Sequence, residues 1–110
     1  PARIPAGATL AAPVGHVDIF ATAAAAAGAP LPADRVIDGV DLLPHVRGEA
    51  SGPPHRTLIW REGYYQTILH DGWKMLRSQR PRKHWLFDLA RDPTEQRNLA
   101  YQHPERIAEL

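Results

Sequence analysis

The stretch from Thr57 to Asp92, TLIWREGYYQTILHDGWKMLRSQRPRKHWLFDLARD, leaves the chain few alternatives. Asp71-Gly72 separates two aromatic and apolar runs, Tyr65–His70 and Trp73–Ser78. An Asp-Gly pair between such runs marks a β-hairpin, because a type I′ turn needs positive φ at both central positions. Thr57–Glu62 precedes this pair and is closed by Gly63. The loop Gln79–Lys83 leads on to His84–Asp88. All three Trp and two of the three Tyr lie here, and bulky rings suit a pleated, half-buried surface. Four antiparallel strands are therefore expected, at 57–62, 65–70, 73–78 and 84–88. A two-residue loop sets His70 opposite Trp73 and Ile68 opposite Met75, with Thr67, Leu69, Lys74 and Leu76 on the other face. Neither face is cleanly polar, whereas an open antiparallel sheet usually has one wet face. The sheet should be covered, at least in part, on both sides.

Composition narrows the function. At 110 residues, 44% hydrophobic and 23% charged, the chain is long enough for one modest globular domain. A net charge of +1 gives no bulk attraction to nucleic acid or an anionic membrane. The absence of cysteine removes disulfide frameworks and thiol chemistry. No apolar run approaches the roughly 20 residues that span a bilayer. Pro1-Ala2-Arg3, with no initiator Met and no signal peptide, reads as the interior of a longer protein.

Upstream of the sheet, Pro1–Pro13 is rich in proline and reads as extended loop. Val17, Phe20, Ala24 and Ala27 recur at helical spacing, and Gly28 followed by Pro30 and Pro32 supplies a stop. A helix is predicted over 16–27, with Asp18 in its first turn, where negative charge suits the helix dipole. Asp38-Gly39 reads as a turn. Asp41 can cap a short helical turn over 42–47. Gly48–Pro54 is the candidate boundary. After the sheet, Asp92-Pro93-Thr94-Glu95 has the form of a helix start, and Pro104–Leu110 of another.

Several groups invite a chemical reading. His16 and Asp18, with Asp34, Asp38 and Asp41, offer oxygen and nitrogen donors for a cation, but Asp beside Gly and in loops more often caps or turns the chain. No metal ligands are assigned. Arg77, Arg80, Arg82 and Lys83 form a basic run that could hold sulfate or phosphate, against the plainer reading of a solvated hairpin tip. Aromatics do not interleave with it as in a nucleic-acid platform. Lys74 reads as a sheet residue.

Five segments in order, APVGHVDIFATAAAAAGAPLP, IDGVDLLPHVRGE, HDGWKMLR, HWLFDLARDPTEQRNLA and HPERIAEL, resemble the C-terminal part of a sulfatase of the arylsulfatase type, in the alkaline phosphatase superfamily. Ala21-Thr22 departs from the Pro-Thr of many relatives. The resemblance implies an α+β fold: a four-stranded antiparallel sheet with flanking helices, the small C-terminal domain of a sulfatase-like α/β enzyme. It assigns residues 1–48 to the large catalytic domain and 49–110 to the small one. It implies hydrolysis of sulfate esters by a formylglycine nucleophile, made from Cys or Ser in C/S-x-P-x-R, with calcium or a similar divalent ion. Ser51-Gly52-Pro53-Pro54-His55 misses that motif, with His in fifth place, and reads as a linker. So the chain is expected to be noncatalytic alone, with no cofactor of its own and no catalytic residue. It would cover the large domain, with Arg61, Tyr64 and Tyr65 at the mouth of the substrate cleft. Its expected partners are the missing N-terminal catalytic domain or, in its absence, a second copy packed through the helix and the sheet. The alternatives are a stand-alone α+β binding module and a fragment of a related phosphoester hydrolase.

Overall fold

The computed structural model describes residues 4–110 and divides the chain into two compact units, the first ending at His55 and the second running from Arg56 to Leu110. The predicted loop over 1–13 thus lies partly outside the described residues.

In the first unit, α1 spans Asp18–Ala27 and α2 spans Leu43–Val46. The run of alanines gives α1 its helical propensity. Gly28 ends it in the left-handed conformation (φ 68°), its N–H donating to the Ala25 carbonyl and that of Ala29 to Ala24. This pair of bonds satisfies two carbonyls that every helix end leaves open. Helix α1 begins at Asp18 rather than at His16, because residues 15–17 form a preceding turn closed by Asp18 N–H to Gly15 O and Ile19 N–H to His16 O. As expected, Asp41 accepts from the Leu43 N–H at 2.9 Å at the entry to α2.

The buried side of α1 differs from the stripe read from apolar spacing. Asp18 and Ala21 are buried, with Thr22 and Ala25 half-buried beside them. Val17, Ile19 and Phe20 instead face outward, Ile19 at 64% and Phe20 at 53% exposure. Polar bonding decides the orientation. Thr22 Oγ1 donates to Val40 O and accepts the Leu42 N–H, and Asp18 takes the Val40 N–H, so the polar edge of the helix is stitched to residues 40–42.

Gly39 is not in a turn. It lies in an extended segment that passes directly over the start of α1, where a Cβ would sit 1.9 Å from the Val17 carbonyl oxygen. Close backbone approach, not turn chemistry, requires glycine there.

The second unit is the predicted sheet: β1 (Thr57–Glu62), β2 (Tyr65–His70), β3 (Trp73–Gln79) and β4 (Arg82–Asp88), antiparallel in sequential order. Asp71 (φ 46°) and Gly72 (φ 80°) make the expected turn, and the register sets His70 opposite Trp73 and Ile68 opposite Met75. Gly63, at φ 54°, opens an equally tight turn that sets Glu62 opposite Tyr65. The third connection is shorter than the expected loop over 79–83. Only Arg80-Pro81, joined by a cis peptide, separate β3 from β4, so Gln79 pairs with Arg82 and Ser78 with Lys83.

Asp92 does not start a helix. Its carboxylate accepts the N–H groups of Gln96 and Arg97, and Glu95 adopts φ 57°, which no right-handed helix accommodates. The side chain that could cap a helix instead folds a loop, freeing Glu95 to reach Lys74 at 2.6 Å. This loop finishes the sheet edge: Asn98 accepts the Leu86 N–H and donates to His84 O, and the Leu99 N–H donates to Leu86 O. An edge covered in this way cannot template further pairing. Helix α3 (Pro104–Glu109) closes the chain, with Arg106 stacked 5.3 Å from the Trp73 ring. Among the described residues, no helix is long and apolar enough to cross a membrane.

Candidate functional site

The two tight turns and the cis-Pro turn align the strands without a bulge, so residues of one face form straight rows across the sheet. On one face the register places Arg61, Gln66, Arg77 and His84 in a single row, one from each strand. The next row on that face is Ile59, Ile68, Met75 and Leu86. With Ile107 and Leu110 of the C-terminal segment, these rows, except the fully buried Leu86, line an open groove of about 400 Å³.

The sequence-predicted cleft residues occupy different places. Arg61 lies on the groove face. Tyr65 pairs with Glu62 and Ser78 on the opposite face, half-exposed. Tyr64 stands in the β1–β2 turn with the Arg80 guanidinium 5.1 Å above its ring. The sheet therefore groups Tyr64 with Arg80 and Arg61 with Arg77, and separates Arg61 from Tyr65. The basic run is divided in the same way. Arg77 and Arg82 share the groove face, while Lys83 lies 4.7 Å over the Trp85 ring on the other. Lys74 is a sheet residue paired to Glu95, as read.

The first unit holds a second cluster, centred on Asp18. Its carboxylate is wholly buried and takes three donors: the Gly15 N–H at 2.8 Å, the Val40 N–H at 2.9 Å and His55 Nε2 at 2.7 Å. Burial alone pushes this carboxyl up, but the two backbone donors and His55 outweigh it and hold the group below its ordinary value of 3.8. The remaining candidates are likewise engaged or solvent-facing. Asp34 pairs with Arg35, and Asp41 caps Leu43. No group of three or more His, Cys, Asp or Glu side chains that could hold a metal ion occurs among the described residues. Asp18 meets only donors, a setting that competes with a cation instead of receiving one. Ser51 lies in the irregular segment before β1, and His55, which fills the fifth place of its near-motif, is committed to Asp18. Neither the Asp18 cluster nor the segment around Ser51 therefore fits a divalent ion or a formylglycine nucleophile.

The Asp18–His55 pair escaped the sequence reading, since no local pattern links positions that far apart. The four-residue row was closer to hand: the Asp71-Gly72 register already opposes Gln66 and Arg77, and Gly63-Tyr64 adds Arg61.

Comparison with known proteins gives this architecture its family. Mouse steryl-sulfatase is 42% identical over 79 residues, covering 67% of this chain and 13% of its own length. Human steryl-sulfatase is 47% identical over 59 residues, covering 54% and 10%. The solved structure of a 2-O GAG sulfatase superposes at TM-score 0.67 and 25% identity, over 84% of this chain and 22% of its own. The chain thus spans only a small part of the length of the relatives it matches. No family model matches it. The similarity runs through both units, and the chain belongs to the sulfatase family, as part of its C-terminal region.

Proposed function

We propose that this chain is the noncatalytic C-terminal part of a sulfate-ester hydrolase, completing an enzyme whose nucleophile and divalent cation belong to a separate large domain. The carrying observation is the combination of sulfatase similarity with a chain whose nearest approach to the nucleophile motif ends in His55, bound to Asp18. Formylglycine and calcium would both be held by the large domain. The outward stripe of α1, with Val17, Ile19 and Phe20 exposed, supports a docking role against that domain. Without that domain, the same stripe favours pairing with a second copy, which light scattering across a dilution series would detect as a concentration-dependent mass. Arg61 and Tyr64, exposed on and beside one hairpin, are the residues assigned to the cleft mouth, with Tyr65 on the reverse face.

The test is kinetic and uses the enzyme encoded by the longer reading frame. Arg61→Ala and Tyr64→Ala should raise KM for an aryl sulfate several-fold with kcat held within about twofold, the pattern of lost ground-state binding. KM unchanged in both variants would remove these residues from the cleft.

A further inference from the structure

We propose that the groove on the second unit is a binding site for a small organic oxyanion carried on an apolar body. Three observations converge on it. First, Arg61 and Arg77 flank Gln66 in one row across β1, β2 and β3, with His84 beside Arg77 on β4. Neighbouring strands lie roughly 4.8 Å apart, so the two arginine backbones are about 10 Å apart, and their long side chains can close on one anion above the Gln66 amide. Second, neither guanidinium has an ion-pair or hydrogen-bond partner among the described residues, and no Asp or Glu is among the residues that line the groove. Most other cations of this unit are engaged: Arg56 with Asp71, Lys74 with Glu95, Arg106 with Glu109. An unpaired arginine couple without a nearby acid is complementary to an external anion.

Third, the adjoining row is apolar. Ile59, at 72% exposure, with Ile68 and Met75, floors the groove beside the arginines, and Ile107 and Leu110 form a wall. A bare inorganic anion would leave this surface wet. A ligand with its charge at one end and a hydrocarbon body at the other satisfies both rows. The volume of about 400 Å³ falls among small-molecule sites, which run from roughly 300 to 1,000 Å³. The proposal does not depend on sulfate-ester hydrolysis. It concerns binding by this chain as it stands, so its failure would leave the sulfatase reading untouched.

The probe is 2-naphthalenesulfonate, which cannot be hydrolysed as an ester, titrated into the 110-residue chain by calorimetry. Saturable one-to-one binding is expected, with neutral 2-naphthalenesulfonamide and sodium sulfate each at least about tenfold weaker. Arg61→Ala and Arg77→Ala should each weaken binding about tenfold, the order of one charge-assisted hydrogen bond. Both arginines are solvent-facing, so the folded spectrum should survive, and amide shifts in a nitrogen-15 correlation spectrum should centre on Gln66 and Met75. Arg91→Ala, on the exposed chain after β4, should change nothing. No saturable binding, or an affinity indifferent to both arginine substitutions, would overturn the site. Sulfate binding as tightly as the naphthalene probe would overturn the apolar half of the proposal.

Discussion

Replacing Asp18 with Asn tests whether a single buried carboxylate organises the first unit. The substitution keeps the shape and removes one acceptor. Both carboxylate oxygens now meet donors: Oδ2 faces the Gly15 N–H, and Oδ1 faces the Val40 N–H and His55 Nε2. An amide can turn its oxygen to only one side, so its NH₂ must confront a buried donor on the other. The loss is one hydrogen bond to a charged group, about 1.5–3 kcal/mol, plus an unsatisfied buried donor. A total of about 3 kcal/mol is expected, one hydrogen bond to a charged acceptor plus the desolvation of the stranded donor. With a urea m-value near 1 kcal/mol/M for a unit of this size, the midpoint should fall by roughly 3 M. All Trp and Tyr residues lie in the second unit, so the readout must be far-ultraviolet circular dichroism, which follows α1. His55→Ala removes one of the three donors and should cost less, about 1–2 kcal/mol. A drop below about 1 kcal/mol for Asp18→Asn, or one smaller than that of His55→Ala, would refute the reasoning.

Further predictions test separate links. The Asp18 carboxyl is held below 3.8, so its contribution is fully present above that pH and is lost as pH falls through its folded value; an acid titration should show a steeper loss for the wild type than for Asp18→Asn. Gly39→Ala sets a Cβ against the Val17 carbonyl and should destabilise the first unit by about 3 kcal/mol or more, read by the same dichroism signal. Ser78 is fully buried with no partner for its hydroxyl among the described residues, so Ser78→Ala should be neutral or stabilise by up to about 1 kcal/mol in Trp-monitored unfolding; a loss above that would reveal a bond to the hydroxyl. Gly72→Ala forces a side chain to φ 80° and should cost about 1 kcal/mol in the same assay.

The sheet was legible because its register is encoded locally. Asp71-Gly72 and Gly63 specify two-residue turns, and strand period then dictates every opposing pair out to Arg61 and Arg77. The third turn is shorter than the sequence suggests, because Gln79 pairs with Arg82 and Ser78 with Lys83, extending both strands into a polar stretch with no apolar alternation to mark it. The helices were harder to orient. Apolar spacing located α1 correctly and gave its stop at Gly28, yet assigned its inner face to Val17 and Phe20. The observed inner face follows Asp18 and Thr22, whose partners at positions 40, 42 and 55 are distant in sequence. The same non-local bonding explains Asp92, which carries the pattern of an N-cap but spends its oxygens on Gln96 and Arg97. The proposal of Arg61, Tyr64 and Tyr65 for a cleft mouth rests on family resemblance alone. Their division between two faces follows from strand alternation, which places Arg61 and Tyr65 apart.

The most direct test of the noncatalytic reading is aryl sulfate hydrolysis by the purified 110-residue chain, with and without calcium. No turnover above the buffer rate is expected under either condition, while a longer protein that also supplied the proposed catalytic domain would hydrolyse the same ester. Turnover that travels with the isolated chain, responds to calcium and vanishes in Ser51→Ala would contradict the reading outright.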